Sequence, residues 1–435
     1  MLLGNIERPG GWYFAKHKLN IGTGWPEPPE VPEYPRPDLK VVPGPWGNLM
    51  SSECLDKASC YTNPRQFHPA TQALPWEHFQ AMKEGRLKAL LSTAENSAIT
   101  QLDTPLVYDC LDKLELIIVG EQEAKEFVDL ADYVIPEASY VERAHLYSFT
   151  PLGQDGNEHV IALMRTVAIP PLGDSKPISW FLTEVGKKLG LSPYFEKLDH
   201  QYGWWDRMLL QAGLAVTARD LEERGPYEET HPMTYDVLFK PITTRSRRFE
   251  IYSNELAEEC FYNDRSPWHK STYVYPLPTH IPIAEPKARD EFYLVSGKAS
   301  WHQKNATQNN RYLMEDDIEG GCPYTPVHIN SARAQELGLK EGDFVEIECI
   351  GPGKKDDPCV WDEGVVGYKE KVKVHITETV HPDVAFVHFA AGHRSKSMLG
   401  KSAEGILHSA FVPLSIEPYA GGCGKNYSLV KIRKT

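Results

Sequence analysis

Short apolar segments alternate with helical patterns between residues 75 and 136, and this alternation constrains the fold more than any other feature of the sequence. Apolar strands separated by helices are typical of a parallel sheet with both faces covered. We therefore predict an α/β domain built on a parallel sheet, with ligands at the carboxyl ends of its strands, in the loops 92–97 and 120–123. The predicted elements, in chain order, are helix 76–83, strand 87–92, helix 104–113, strand 114–119, helix 123–130 and strand 132–136.

The regions on either side of this alternation differ in composition. Residues 1–75 contain many closely spaced prolines and are predicted to form an extended segment that wraps over another part of the protein. Residues 76–290 are assigned to this α/β domain with a helical and loop extension, which includes an amphipathic helix at 178–189. Residues 291–435 carry repeated strand patterns and are predicted to form a compact β-barrel.

Charge and cysteine spacing argue against several classes of protein. The 435 residues carry 60 acidic and 46 basic side chains, a net charge of −14, which argues against a nucleic-acid-binding surface. The longest apolar run, 114–119, is far shorter than the ~20 residues of a membrane span, so no transmembrane segment is predicted. The eight cysteines form no C-x-x-C pair, so neither a thiolate zinc site nor a cubane iron–sulfur cluster is expected on this chain. The first residues show no signal-peptide pattern.

A polar loop follows the predicted strand at 292–295. Residues 296–311 combine Asn, Gln, Ser, Thr, Trp, His, Lys and Arg side chains with few apolar ones. Such a density of hydrogen-bonding groups suits a polar, anionic, flat ligand. A solvent-exposed surface loop is the alternative, and composition alone favours it.

A second candidate segment, 387–396, ends a strand with small residues and then presents His393, Arg394 and Lys396. His388 and His393 could form a metal pair, but their spacing predicts opposite faces of a strand, and no third ligand is near in sequence. We therefore predict contact with an anionic ligand rather than with a metal ion.

Two further segments leave alternatives open. The glycines of 421–424 allow backbone N–H groups to approach a ligand, although most such loops are simple turns. Cys423 is a candidate nucleophile, but no base accompanies it in the sequence, which favours an inert thiol. Asp132 could accept a hydrogen bond from a nucleobase edge or a ribose, or could be a turn aspartate.

These segments occur in an order that resembles the molybdopterin oxidoreductase family, also called the dimethyl sulfoxide reductase family. Residues 327–347 closely resemble its molybdopterin-dinucleotide-binding domain, where an Asn, an Ala-containing helix, Leu-Gly, a Gly-Asp turn and a Val strand follow one another. Residues 131–136 with Glu142 resemble the signature Ala-Asp-Val-Val-Leu-Pro … Glu, and residues 3–11 resemble the segment Gly-Asn … Pro-Gly-Gly. The resemblance covers nearly the whole chain.

The resemblance implies that the α/β domain 76–290 is Rossmann-like and that the barrel over 291–435 is a double-psi β-barrel. It also implies that the two hold a cofactor between them. The cofactor would be two molybdopterin guanine dinucleotides with molybdenum or tungsten, and the chemistry would be two-electron redox transfer. The residues that match cofactor-contacting positions of the family are Glu95, Asn96, Asp132, Lys298, Trp301, His302, Asn305, Thr307, Asn309, Asn310, His388, Gly392, His393, Asn426 and Tyr427. The side chains expected to offset the pyrophosphate charges are Lys298, Arg311, Arg394 and Lys425.

The match is imperfect at one loop. Where the family has Gly-Asn-Pro, this sequence has Ala94 and Glu95 before Asn96, and Ser97 in place of the proline. Residues 306–313 resemble the branch that contains polysulfide, thiosulfate and arsenate reductases, which serve anaerobic respiration.

The family's iron–sulfur site and its metal ligand belong to a half that precedes these motifs, so no catalytic residue and no metal ligand is assigned to this chain. Met1 falls inside a family motif, and we expect a split gene or a fragment that is inactive alone. The expected partners are that N-terminal half and an iron–sulfur electron-transfer subunit, in a periplasmic or cytoplasmic membrane-associated complex. The alternatives are a non-catalytic scaffold with the same fold and a non-redox hydratase or lyase that uses the same cofactor.

Overall fold

The computed structural model forms two compact units, each made from two stretches of the chain. The described parts of 1–52 and 136–280 form the first unit, and those of 53–135 and 281–435 form the second. Each of the three predicted domains is one continuous stretch of the chain, whereas each of these units combines two stretches. The boundaries at 75 and 290 therefore stay a prediction. The structure describes residues 8–9, 12–19, 41–43, 49–51, 75–192, 202–235, 246–248, 250–264, 275–277, 279, 285–314, 323–351, 360–362, 364–415, 424, 426 and 428–435.

Strands and helices are numbered in chain order. The strands are β1 (Val41–Pro43), β2 (Leu49–Ser51), β3 (Ala89–Thr93), β4 (Leu116–Glu121), β5 (Tyr133–Pro136), β6 (His145–Phe149), β7 (Asn157–Arg165), β8 (Tyr227–Pro232), β9 (Glu291–Gly297), β10 (Val327–Asn330), β11 (Phe344–Gly351), β12 (Val360–Asp362), β13 (Lys369–Thr377), β14 (Val384–His388), β15 (Leu414–Ser415) and β16 (Leu429–Lys434). The α-helices are α1 (Pro75–Lys83), α2 (Ser97–Thr100), α3 (Thr104–Leu111), α4 (Glu126–Leu130), α5 (Ile178–Gly186), α6 (Tyr202–Gln211), α7 (Ala218–Arg224), α8 (Asn254–Ala257) and α9 (Ser331–Glu336). Short π-helical turns cover Lys187–Leu191 and Glu258–Tyr262, and 3-10 turns cover Arg311–Met314, Gly400–Ala403 and His408–Phe411.

The first unit contains an antiparallel sheet of order β6–β7–β8. Side chains of β7 alternate between buried and half-buried positions, as expected for a strand with one face against a core. Trp205 and Leu209 of α6 and Leu221 of α7 pack with Leu146 of β6 in this core. The hairpin β1–β2 belongs to the same unit.

A buried carboxylate fixes residues 12–19 to this sheet. Glu158 of β7 accepts hydrogen bonds from the backbone N–H groups of Lys16 (2.9 Å) and His17 (2.8 Å), and from the hydroxyl of Tyr13. The ring of His17 stacks on that of His231, with 4.0 Å between the ring centroids. These contacts attach the segment to β7 and β8.

A sheet of order β3–β4–β5 begins the second unit. Strands β3 and β4 are parallel, with Ala89 opposite Leu116. Phe79 of α1, Val107 of α3 and Phe127 of α4 share one buried apolar cluster with this sheet. The strand–helix alternation predicted for residues 75–136 is therefore confirmed, with element ends shifted by a few residues.

A closed barrel of order β10–β13–β11–β16–β9–β14 forms the other part of the second unit. The pairs β10–β13 and β9–β14 are parallel, and the other pairs are antiparallel. Apolar side chains fill its interior, among them Phe292, Ile329, Ile347, Val374 and Ile432. The prediction of a mixed α/β chain with a parallel sheet and a β-barrel is confirmed.

The sheet and the barrel of the second unit share buried contacts. Ile99 of α2 belongs to the apolar core of the barrel. The hydroxyl of Ser409 donates to the carbonyl of Ile99 at 2.6 Å and lies 3.0 Å from the hydroxyl of Thr104. The backbone N–H of Asp103 donates to the carbonyl of Val412 at 3.0 Å. These bonds hold α2 and the start of α3 against the barrel.

Two elements differ from their prediction. Residues 193–290 are predicted as helices and loops, but they also contain β8, whose sequence Tyr-Glu-Glu-Thr-His-Pro lacks the apolar alternation that would reveal a strand. The helix predicted at 178–189 is regular only to Gly186 and continues as a π-helical turn. In the described ranges, no helix is long and apolar enough to cross a bilayer.

Candidate functional site

A buried carboxylate, Glu126, connects the sheet of the second unit to a loop of its barrel. Glu126 is the first residue of α4, and its side chain is 1% exposed. Its Oε1 accepts hydrogen bonds from Nδ1 of His393 (2.9 Å) and from the backbone N–H groups of Arg394 (2.7 Å) and Ser395 (3.2 Å). Its Oε2 accepts from Nδ2 of Asn96 at 2.7 Å. One carboxylate thus fixes Asn96, which follows β3, and His393, which follows β14.

These donors keep Glu126 ionised despite its burial. Burial alone would raise the pKa of the carboxyl group, but the hydrogen bond and charge of His393 and the bonds from Asn96 and Arg394 lower it to about 2. Because a carboxylate oxygen only accepts, Nδ1 of His393 carries the proton. The carboxylate therefore sets both the orientation and the protonated nitrogen of this imidazole.

Two polar atoms beside this carboxylate have no hydrogen-bond partner within the described part of the chain. They are Nε2 of His393 and Oδ1 of Asn96, and both are buried. Buried polar atoms without partners cost free energy, so each such atom needs an explanation. An open imidazole nitrogen and an open amide oxygen can contact a polar ligand.

The turn that brings His393 to Glu126 requires glycine at position 392. Gly392 has a φ of +75°, which favours glycine. A Cβ at this position would lie 2.5 Å from the carbonyl carbon of Ile406. The N–H groups of Gly392 and His393 donate to the carbonyls of Glu404 and Ser402, so the turn packs backbone against backbone.

This turn corrects the predicted placement of the two histidines. Strand β14 ends at His388, so His388 and His393 do not lie on opposite faces of one strand. The ring of His388 stacks on that of Tyr324, with 5.3 Å between centroids, and meets Trp301 edge-on at 5.8 Å. Across the described residues, no group of three or more His, Cys, Asp or Glu side chains is arranged to bind a metal ion.

The polar loop 296–311 is partly held by its own hydrogen bonds. Nε1 of Trp301 donates to the carbonyl of Leu313 at 3.1 Å, and Oδ1 of Asn310 accepts from the N–H of Tyr312 at 3.0 Å. Asn305 is half-buried and Lys298 is exposed. The loop is therefore an organised structure rather than a simple exposed connection.

The same loop also contacts the segment beyond His393. Oδ1 of Asn309 accepts from the backbone N–H of Leu399 at 3.0 Å, and the hydroxyl of Ser402 donates to the carbonyl of Gln308. These two bonds bring the polar loop and the loop after β14, which the sequence marks as separate candidates, to one region of the barrel.

His302 is a second buried histidine with an open nitrogen. Its Nδ1 lies 3.0 Å from the hydroxyl oxygen of Thr307, and its Nε2 has no hydrogen-bond partner within the described ranges. Burial lowers the pKa of His302, and an interaction with the backbone of Leu313 offsets part of this shift. Its ring lies 4.3 Å from that of Tyr324, whose hydroxyl donates to the carbonyl of Phe389 at 2.7 Å.

Three other predicted positions accept hydrogen bonds from backbone N–H groups. Oε1 of Glu95 accepts from the N–H of Ser97 (3.2 Å), at the start of α2, and Oδ2 of Asp132 accepts from that of Ile117 (2.8 Å). Oδ1 of Asn426 accepts from the N–H of Ser296 at 2.9 Å. Cofactor contact by these residues stays a prediction. The predicted positions outside the described residues are Gly421, Gly422, Cys423, Lys425 and Tyr427.

The cations expected near a pyrophosphate differ in their surroundings. The guanidinium of Arg394 donates to the hydroxyl of Tyr368 (2.7 Å) and pairs with Glu370. That of Arg311 lies 4.7 Å from the ring centroid of Tyr312. The charge of Arg394 is thus already balanced by a carboxylate.

Glu126, the residue that organises this site, is not among the candidates predicted from the sequence. The available signal was its position, because it opens the helix that follows the carboxyl end of a parallel strand. Nothing in the local sequence indicates that its four donors come from residues 96 and 393–395.

Comparison with known proteins finds relatives of this chain. It is 24% identical to the thiosulfate reductase molybdopterin-containing subunit PhsA of Salmonella typhimurium, over 97% of this chain and 52% of the relative. It is 25% identical to the putative dimethyl sulfoxide reductase chain YnfE of Escherichia coli, over 74% of this chain and 39% of the relative. The chain is thus similar to molybdopterin-containing subunits of the dimethyl sulfoxide reductase family. No protein-family model matches it.

A solved structure shares the fold of this chain. Acetylene hydratase from Pelobacter acetylenicus matches with a TM-score of 0.58 and 18% identity, over 88% of this chain and 50% of that one. The chain spans about half the length of the thiosulfate reductase and acetylene hydratase chains that it matches. The family resemblance identified from the sequence motifs is confirmed.

Proposed function

We propose that this chain is the cofactor-binding, C-terminal half of a molybdenum or tungsten enzyme with two molybdopterin guanine dinucleotides. The barrel would be its double-psi dinucleotide-binding domain, and the enzyme would catalyse two-electron redox chemistry. The observation that carries the proposal is the fully buried carboxylate of Glu126, which holds His393 with Nε2 open. A site without a ligand has no reason to keep this nitrogen buried and unpaired.

The open groups of the site suit such a cofactor. A pterin dinucleotide presents flat rings with many hydrogen-bonding atoms and a charged pyrophosphate. Nε2 of His302 and His393 and Oδ1 of Asn96 could contact these groups, because both imidazoles are already oriented through Nδ1. When bound, the cofactor would supply the redox chemistry at its metal, while this chain would orient it and exclude water.

The remaining half of the enzyme would come from polypeptide outside this chain. It would carry an iron–sulfur site and the metal ligand, and an iron–sulfur subunit would transfer electrons to it. The extent of one match supports this division, because the match to PhsA covers 97% of this chain but only 52% of PhsA. We assign the enzyme to the thiosulfate, polysulfide and arsenate reductase branch, and we expect no activity from this chain alone.

The test is the cofactor content of the native complex isolated through this chain. We expect molybdenum or tungsten, the fluorescent oxidation product of molybdopterin, and GMP after acid hydrolysis, in a ratio of two pterins to one metal. Replacing His393 with alanine should lower pterin content, whereas His375→Ala, which removes a half-buried ring paired with Glu341, should leave it unchanged. An intact complex without pterin would identify a scaffold instead.

A non-redox hydratase is the second candidate. The fold match to acetylene hydratase over 88% of this chain favours it. The two candidates differ in their need for electrons. Thiosulfate reduction consumes two electrons from a reduced viologen dye, whereas hydration of an alkyne adds water and consumes none. Both activities are measured on the same pterin-loaded complex.

A further inference from the structure

Arg165, the last residue of β7, carries a positive charge that no carboxylate among the described residues balances. Its Nη1 donates to the hydroxyl of Tyr147 at 2.8 Å. Its Nε is buried and has no hydrogen-bond partner within the described ranges, and no described residue bonds to its Nη2. Acidic side chains outnumber basic ones in this sequence by 60 to 46, so an arginine without a carboxylate partner needs an explanation.

Two tyrosine rings lie against the guanidinium of Arg165. Its Cζ is 5.5 Å from the ring centroid of Tyr140 and 5.4 Å from that of Tyr147. Cation–π contacts of this kind attract the cation but use none of its N–H donors. The side edge formed by Nε and Nη2 therefore keeps two parallel N–H groups, the arrangement that binds two oxygens of one anion.

A histidine and a second arginine add to this positive charge. His145 of β6 lies opposite Arg165 in the antiparallel pair β6–β7. Partial burial lowers the pKa of His145, and the charges of Arg165 and Arg143 lower it further. Arg143 pairs with Glu137 through Nη1 at 2.8 Å, but its Nε is likewise buried without a partner in the described part of the chain. Two buried guanidinium nitrogens in this part of the first unit therefore lack an acceptor among the described residues.

We propose that the cluster of Tyr140, Arg143, His145, Tyr147 and Arg165 binds a small tetrahedral oxyanion of the sulfate or phosphate class. A carboxylate would occupy only the side edge of Arg165, whereas an anion with four oxygens can also accept from His145 and Arg143. The buried Nε of Arg165 becomes accessible when the ring of Tyr140 turns away, which loses little packing because this residue is 62% exposed. The cluster lies in the first unit and Glu126 in the second, so this inference does not depend on the proposed function.

Equilibrium dialysis with radiolabelled sulfate measures this binding directly. The full chain, purified from its native source, is dialysed at neutral pH while chloride keeps the ionic strength constant. We expect saturable binding of one sulfate per chain, weakened about tenfold or more in Arg165→Gln. Arg165→Lys keeps the charge without the paired donors and should also bind more weakly than the wild type. Arg224→Gln is the control, because it removes an equal charge from a side chain of the first unit that is 79% exposed, and its sulfate binding should be unchanged.

A second measurement needs no substituted protein. The exchange rate of the C2 hydrogen of His145, followed by mass spectrometry as a function of pH, reports the pKa of this side chain. A bound oxyanion would offset the charges of Arg143 and Arg165. Sulfate should therefore raise the pKa of His145, whereas chloride at the same ionic strength should not.

The outcomes separate the proposed ligand from its alternatives. Displacement of labelled sulfate by phosphate but not by acetate supports a site for tetrahedral oxyanions. Displacement by acetate as effective as that by phosphate would assign the cluster to carboxylates and overturn the inference. Equal sulfate binding by the wild type and Arg165→Gln, or no saturable binding at all, would also overturn it. If Arg165→Gln does not fold, an unchanged pKa of His145 in millimolar sulfate decides against the site.

Discussion

Oε1 of Glu126 lies 2.9 Å from Nδ1 of His393, although 267 residues separate them in sequence and neither side chain reaches solvent. The carboxylate belongs to the helix after a parallel strand, and the imidazole belongs to a loop of the barrel. The pair therefore joins the sheet and the barrel of the second unit. It also fixes the open nitrogen of His393 on which the proposed cofactor site depends.

Removing the carboxylate should destabilise the protein strongly. Glu126→Ala leaves the donors of His393, Asn96 and Arg394 buried without an acceptor, and we expect a loss of about 3–5 kcal/mol in the free energy of unfolding. Urea unfolding followed by circular dichroism measures this loss. Glu115→Ala, which removes an exposed partner of Lys88, should cost less than about 1 kcal/mol. Equal losses in the two variants would contradict the role given to Glu126.

The same carboxylate should make stability depend on pH in acid. Its pKa is lowered from 4.5 to about 2, so as the pH falls the carboxylate is protonated in the unfolded chain before it is protonated in the folded protein. The stabilisation is complete above pH 4.5 and disappears as the pH falls through 2, for a total of up to about 3 kcal/mol. Urea unfolding of the wild type and of Glu126→Gln at pH 5, 4 and 3 measures this effect. The variant should show a smaller decrease, and parallel curves would refute the assignment.

The sequence predicts the elements of this site but not their connections. The alternation of strands and helices locates β3, β4 and α4, because it is a local pattern. Asn96 and His393 stand out as separate candidates, yet the side chain that joins them does not. Long-range contacts such as that of Glu126 depend on how the sheet packs on the barrel, which local periodicity does not determine. Strand β8 was missed for a related reason, since its pairing with β7 rather than its apolar pattern makes it a strand.

A buried histidine should produce a second pH effect, in a higher range. Burial lowers the pKa of His328 from 6.5 to about 4, and the nearby His388 and His375 add to this shift. A hydrogen bond to the carbonyl of Pro323 opposes the shift but does not cancel it. As the pH falls, His328 therefore binds a proton in the unfolded chain before it does so in the folded protein. The free energy of unfolding falls between pH 6.5 and 4 by up to about 3 kcal/mol. His328→Gln should remove most of this decrease, while His381→Gln, at an exposed position, should not. Urea unfolding of the wild type and the two variants at pH 7, 6 and 5 measures this effect. An equal change of the free energy of unfolding with pH in all three proteins would contradict the prediction.

The turn before His393 should tolerate no side chain at position 392. Gly392→Ala adds the strain of a positive φ and a Cβ 2.5 Å from backbone carbon of Ile406, so we expect a loss above about 3 kcal/mol. Gly342→Ala is the matched control. It has a φ of +79° with open space around the Cβ, and should cost about 1 kcal/mol. A comparable loss in both variants would show that backbone strain, and not close packing, determines the effect.

The open nitrogen of His302 should contribute to cofactor binding separately from the stability of the loop. His302→Phe keeps a buried ring of similar size but removes Nε2 and the bond from Nδ1 to Thr307. We expect about tenfold weaker retention of the pterin, which corresponds to roughly one lost hydrogen bond. Thr307→Val breaks the same loop bond and keeps Nε2, so it controls for loop disruption. Pterin release from the purified complex is followed by fluorescence after oxidation. If Thr307→Val releases pterin as readily as His302→Phe, the histidine acts through the loop and does not contact the cofactor.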